Sequence, residues 1–209
     1  LIPINNETCQ KDEEMEQFIN HYRKETDKKY DRIVTRFTSC LTHPARNQET
    51  ALGNLMADIL CDSLGIDLML MGSGAIRSYE LGPVVHYQDL VECLPYDEAV
   101  YMLQVNGTQL ERMLRRILRE EAFEGEHTEF YQFSHGMQII WSRGQQEFET
   151  LTLNGKALDQ QKLYSIALSK FHYMNIQNFL NISLEEIKIN APPRVLATSY
   201  RDIVEEYMM

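Results

Sequence analysis

The chain has 209 residues and a formal net charge of −11, from 31 acidic and 20 basic side chains; 44% of its residues are hydrophobic and 24% charged. This is the ordinary globular balance, which excludes intrinsic disorder. The acidic excess, with no basic block, excludes a binder of duplex nucleic acid but leaves room for a small anion held by a few arginines. No apolar run is long enough for a membrane span, and the start at Leu1, without a cationic leader, predicts a mature or excised piece. Along the chain, Asp12 to Ile33 reads as one polar helix, with Met15, Phe18, Ile19 and Tyr22 at helical spacing and acids ahead of bases. Arg32 to Cys40 alternates and is rich in β-branched residues, which predicts a strand. Glu49 to Leu64 is a second helix carrying Leu52, Leu55, Met56, Ile59 and Leu60 on one face. The apolar strand Ile66 to Met71 runs straight into Gly-Ser-Gly-Ala-Ile-Arg. Pro83 to Tyr87 is extended, Asp89 to Leu94 a short helix or turn, and Ala99 to Val105 a strand ending at the turn signal Asn106-Gly107, after which Thr108 caps a helix from Gln109 to Glu121. Met137 to Trp141, Glu149 to Leu153 and Leu163 to Ser169 are strands, with a second turn at Asn154-Gly155, and Ser199 caps a final helix through Met208. Helices alternate with strands, yet some strands are joined by hairpin turns. The pattern is that of an α+β domain with mixed sheets, not of a uniform βαβ winding.

Direct signs of chemistry are few. The chain has no phosphate-binding P-loop, dinucleotide fingerprint, nucleophile elbow or paired-histidine zinc motif. Its six histidines (21, 43, 86, 127, 135 and 172) are scattered, most of them expected in surface loops; His127 and His135, the closest pair, lack a metal spacing. The four cysteines form no C-x-x-C pair; Cys61 and Cys93 sit in apolar company as buried thiols, which points to a reducing, cytoplasmic compartment. No catalytic residue and no metal site are expected here. The turn Gly72-Ser73-Gly74-Ala75-Ile76-Arg77 stands out, because small residues let a backbone approach a ligand, free N–H groups form an anion nest, and an arginine supplies a fork. The plain alternative is a tight strand-to-helix turn with a surface arginine.

That turn belongs to an ordered set of motifs. Glu49-Thr50-Ala51-Leu52-Gly53-Asn54-Leu55-Met56-Ala57-Asp58 resembles the E-x-x-L-G-N-L-x-A-D signature of the C-terminal domain of 5'-nucleotidases. Gly-Ser-Gly-Ala-Ile-Arg is similar to that family's N-x-G-G-I-R turn, and Leu94-Pro95-Tyr96 to its L-P-F. Matches to its T-G-x-Q-L follow around Asn106-Gly107, to V-S-G-L around Ser134, and to V-N-G-x-P-L-D around Asn154-Gly155. The six matches run from about Ile33 to Phe179. The resemblance implies a layered α/β sandwich over residues 34–209, with residues 1–33 as the connector helix between two domains and the chain cut just ahead of it.

The resemblance also implies a role. This domain would bind the nucleotide or nucleoside substrate of a two-domain, metal-dependent phosphoesterase, a hydrolase of nucleotide catabolism. Hydrolysis and two divalent metal ions would lie in its own N-terminal metallophosphoesterase domain, the expected partner. The base would stack between Tyr96 and Phe179, with Arg46, Arg77 and the Gly74 turn contacting the ligand, and Glu49 and Asn54 orienting the turn. Family members are often exported, which sets an envelope location against the cytoplasmic one. The alternative function is a degenerate, non-binding domain that supports the phosphoesterase domain, and a third is an altered phosphoester substrate. The departures are specific: Gly72 replaces the family asparagine, Ala75 its second glycine, Asn175-Ile176-Gln177-Asn178 its G-G-D-G loop, and Asp97-Glu98 its glycine and asparagine. Two acids there disfavour a polyanion.

Overall fold

In the computed structural model, which describes residues 5, 9, 11–123 and 129–209, the apolar segments assemble into one central mixed sheet. In chain order the first half contains α1 (Glu13–Tyr30), β1 (Ile33–Arg36), β2 (Leu41–Thr42), α2 (Ala51–Leu64), β3 (Leu68–Gly72), β4 (Glu80–Leu81), β5 (Val84–His86), α3 (Tyr87–Cys93), β6 (Val100–Asn106) and α4 (Gly107–Ile117). The second half contains β7 (Tyr131–Phe133), β8 (Met137–Ser142), β9 (Glu147–Leu153), β10 (Lys156–Ala157), β11 (Leu163–Ser169), α5 (Lys170–Met174), α6 (Ile176–Leu180), α7 (Leu184–Asn190), β12 (Arg194–Ala197) and α8 (Tyr200–Met208).

The central sheet runs β12-β6-β11-β3-β7; only β11 and β3 are parallel. Strand β3 shows why the sheet is central. Its side chains alternate between two cores: Leu68 and Leu70 pack with α4, α6, α7 and the β8–β9 hairpin, and Met69 and Met71 with α2, α3 and α8. An uninterrupted apolar run is what a strand covered on both faces requires. The result is the expected layered α/β sandwich with mixed sheets.

Helix starts are set by side chains. Asp12 accepts from Met15 N–H, Thr50 from Gly53 N–H, Ser183 from Glu186 N–H and Ser199 from Asp202 N–H. Asn106-Gly107 forms the turn between β6 and α4, and the cap of the helix is Asn106, not Thr108. The Asn106 side chain accepts from Gln109 N–H at 2.9 Å, and the Gln109 side chain accepts from Asn106 N–H at 2.9 Å, a reciprocal capping box. Gly107 is required beside it, since a Cβ there would lie 2.2 Å from the Asp159 carbonyl oxygen. The predicted 109–121 helix therefore starts two residues earlier and stops at Ile117. The strand expected from Arg32 to Cys40 shrinks to β1, which pairs with the short β5. Asn154 and Gly155 both adopt positive φ, as a tight hairpin turn needs.

Helix α1 is largely exposed and meets the rest of the chain at its end, where the Tyr30 and Tyr87 rings lie 5.6 Å apart. All four cysteines are free; Cys61 and Cys93 are buried, and burial pushes the Cys93 thiol up to about 12. Among the described residues, no helix is long and apolar enough to cross a membrane.

Replacing Asn106 by Ala removes one half of the capping box, and the expected cost is about 1 kcal/mol of stability. Urea denaturation checks this; an unchanged midpoint would show that the cap contributes nothing.

Candidate functional site

Strand β3 ends at Gly72, and Ser73–Ala75 forms a single 3-10 turn. Buried hydrogen bonds hold this turn from below. The Ser73 N–H donates to the Phe130 carbonyl at 2.8 Å, and the Ser73 carbonyl accepts from His43 Nε2 at 3.1 Å. Gln132, fully buried on β7, donates from Nε2 to the Ser73 hydroxyl and to the Gln48 carbonyl (2.8 Å), while its Oε1 accepts from Thr50 N–H (2.8 Å). A Cβ on Gly53 would lie 2.2 Å from Gln132 Oε1, so the glycine of the E-x-x-L-G-N segment makes room for this amide. The His43 Nδ1 accepts from the Thr50 hydroxyl at 2.8 Å, which completes the network. These bonds join the start of α2, the Arg46 loop and the Gly74 turn into one unit.

Above the turn lies a cleft of about 360 Å³. Arg46, Gly74, Arg77 and Tyr96, all expected from the sequence, line it together with Ala75, Glu98, Glu129, Ser169, Phe171, His172 and Tyr200. Because the Ser73 N–H is taken, any anion contact by the turn falls to Gly74 and Ala75. Tyr96 is 56% exposed and Phe171 49%, so both offer a ring face to a ligand. The Arg77 guanidinium lies 5.7 Å from the Tyr96 ring centroid. Neither Arg46 nor Arg77 forms an ion pair among the described residues; Arg77 Nη1 donates to the Gly74 carbonyl at 3.5 Å.

Phe179 is not brought to this cleft. The segment expected as a rebuilt loop is the short helix α6, and Phe179 packs against the core beneath, 5.7 Å from the Phe171 ring and 5.6 Å from the His172 ring. Phe171 holds the exposed place. Glu49 and Asn54 do not line the cleft either.

A polar line was not foreseen. His172, only 3% exposed, donates from Nε2 to Glu129 Oε1 at 2.7 Å and accepts at Nδ1 from the Ser169 hydroxyl at 3.1 Å. The carboxylate fixes the tautomer, so the ring passes a single orientation from Ser169 to Glu129. Gly72 explains how the pair fits. A Cβ at residue 72 would lie 2.1 Å from His172 Cε1 and 2.7 Å from Glu129 Oε1. The space that a side chain at this position would fill holds the histidine and the carboxylate instead.

The two acids after Tyr96 divide their tasks. Asp97 turns away to the start of α8, accepting from the Ser199 hydroxyl at 2.6 Å and pairing with Arg201 at 3.2 Å. Its φ of +32° is a left-handed geometry that aspartate tolerates. Glu98 remains in the cleft wall, where its Oε2 accepts from Phe171 N–H at 2.9 Å. The cleft thus sets two arginines against two glutamates. Tyr200, 2% exposed, also lines it, and its buried hydroxyl has no hydrogen-bond partner among the described residues. Burial, with Glu98 and Asp97 nearby, raises its pKa and keeps it a donor. Among the described residues no three metal-ligating side chains converge, and His127 lies outside those residues.

The model of the 5'-nucleotidase C-terminal domain family matches residues 29–182. The chain belongs to this family. The match starts at the end of α1 and closes before α7, so Tyr200 reaches the cleft from outside the matched segment. Among solved structures, a 5'-nucleotidase precursor from Thermus thermophilus is similar with a TM-score of 0.71 at 16% identity, over 97% of this chain and 41% of that one. An NAD nucleotidase from Haemophilus influenzae is similar with a TM-score of 0.66 at 13% identity, over 96% and 39%. A sulfate thiohydrolase, SoxB, also from Thermus thermophilus and solved with glycerol, gives 0.67 at 14%, over 99% and 38%. The chain therefore spans about two fifths of the length of these relatives, and at such identities the likeness is one of fold. No curated protein matches the chain.

The sequence reading put most histidines in surface loops, yet His43 and His172 are buried in polar networks. Burial holds the His43 pKa below its ordinary 6.5; the Ser73 carbonyl opposes the shift and the Arg46 charge adds to it. The unfolded chain therefore takes up this proton more readily than the folded one. The contribution of neutral His43 to stability is complete above pH 6.5 and is lost as the pH falls below it toward the folded pKa. Replacing His43 by Gln should flatten the decline in unfolding free energy between neutral and mildly acidic pH; a slope as steep as that of the parent chain would contradict the assignment.

Proposed function

We propose that this chain binds the nucleoside end of a nucleotide or related phosphoester substrate, within a two-domain, metal-dependent phosphoesterase. Hydrolysis would belong to a metallophosphoesterase domain that carries two divalent metal ions and is the partner of this one. The observation that supports the reading is the convergence of two guanidinium groups without an ion pair among the described residues, Arg46 and Arg77, with two exposed rings, Tyr96 and Phe171, on one cleft. Rings supply stacking faces that tolerate different bases, and guanidinium forks suit phosphate or ribose oxygens. Phe171 takes the stacking role that the sequence resemblance gave to Phe179, with Phe179 supporting it from behind.

The chain's own residues bind and orient. The Gln132 network holds the turn, so that Gly74 and Arg77 keep one geometry when a ligand arrives. Membership of a 5'-nucleotidase domain family and the fold shared with nucleotidases agree with this reading.

Calorimetric titration with adenosine, AMP and a UDP-sugar tests it. Binding is expected, and Tyr96→Ala should weaken it by about 1–3 kcal/mol. Failure of all three ligands to bind would favour a supporting, non-binding role for the domain.

A further inference from the structure

Glu129 is the polar group of the cleft that the stacking and arginine contacts leave unused. Its Oε1 is held by His172, and both carboxylate oxygens approach the open space over Gly74: a point one Cβ length above that glycine lies 3.8 Å from Oε1, 3.9 Å from Oε2 and 4.0 Å from Arg46 Nη1. Glu129 and Arg46 do not pair with each other among the described residues. An acceptor and a donor therefore face the same point of the cleft floor with neither satisfied by the other. Tyr200, buried and lacking a partner among the described residues, lines the same cleft. Ionised carboxylates only accept hydrogen bonds and, with two oxygens, suit two adjacent donors.

Building on the nucleoside reading above, we infer that Glu129, fixed by His172 in the space left by Gly72, reads a pair of adjacent hydrogen-bond donors on the ligand and so sets its specificity. Two parts of a nucleoside carry that chemistry: the cis-diol of a ribose and the N–H edge of a guanine base. Arg46, beside it, donates to an acceptor on the same part of the ligand. The carboxylate disfavours a phosphate at this end of the cleft, which directs the phosphate away from Glu129.

The test uses the 209-residue chain and its Glu129→Gln variant, titrated with adenosine, guanosine and uridine and with the 2',3'-dideoxy forms of adenosine and guanosine. Loss of a hydrogen bond to a charged acceptor is expected to weaken the affected ligands about ten- to a hundredfold. If the diol is read, all three ribonucleosides weaken in the variant and the dideoxy forms, already weak, do not change. If the guanine edge is read, guanosine and dideoxyguanosine weaken and the others do not. Equal affinities of parent and variant for every ligand overturn the inference while leaving the nucleoside reading intact. A loss of equal size for all ligands, dideoxy forms included, marks a general disturbance of the cleft and also overturns it. A parent chain that binds none of them removes both.

Discussion

One buried amide carries the geometry of the cleft. Gln132 sits on β7, paired across to Met71 of β3, with its side chain wholly out of water. A buried primary amide left without partners costs several kilocalories, so every one of its bonds has to be made. It makes them to two separate segments: Gln48 and Thr50 on the stretch that leads from Arg46 into α2, and Ser73 in the turn. None of these can shift without leaving polar groups unpaired in a medium of low dielectric. The glycine at residue 53 follows from this arrangement, because no side chain fits between helix α2 and the amide. Arg46 and the Gly74 backbone are therefore presented by a fixed base, although neither lies in an α-helix or a strand.

The same logic of occupied space governs the other end of the turn. Gly72 offers no side chain to the cleft, and the volume is filled by His172 from α5 and Glu129 from the segment before β7. The polar groups that line the cleft are thereby set by His172 and Glu129, with the strand and the turn kept. Asp97 shows a parallel case: its charge is drawn off by Arg201, so it works as a clamp on α8 instead of a barrier to anions. Function on a shared fold is set by such local replacements, and solved relatives named for quite different substrates fit that view.

Much of the fold was legible in the sequence. The strand at Leu68–Met71, the stripe of α4, the turn at Asn154-Gly155 and the Ser199 cap all follow from local patterns that local structure obeys. The cap before α4 was assigned to Thr108 instead of Asn106, because both residue types cap helices and the reciprocal bond between Asn106 and Gln109 decides between them. In the candidate cleft, Arg46, Gly74, Arg77 and Tyr96 were legible as neighbours because they sit in or beside short motifs. Phe171, His172 and Glu129 were missed. The contact between residues 129 and 172 exists only because β7 and β11 flank β3, a long-range fact without a local signature. The signal available was negative: an asparagine replaced by Gly72, a glycine loop replaced by Asn175–Asn178. Each marked a place where other residues had moved in.

The central claim is that a nucleoside sits over Gly74, between the Tyr96 and Phe171 rings, on the base that Gln132 holds. Two-dimensional NMR of the labelled chain during titration with adenosine addresses it directly. The account predicts shifts confined to the Gly74 turn, Arg46, Arg77, Tyr96 and residues 169–172, with the Gln132 amide retaining its slow exchange. Shifts that cluster elsewhere, or a spectrum that adenosine leaves unchanged, would contradict it.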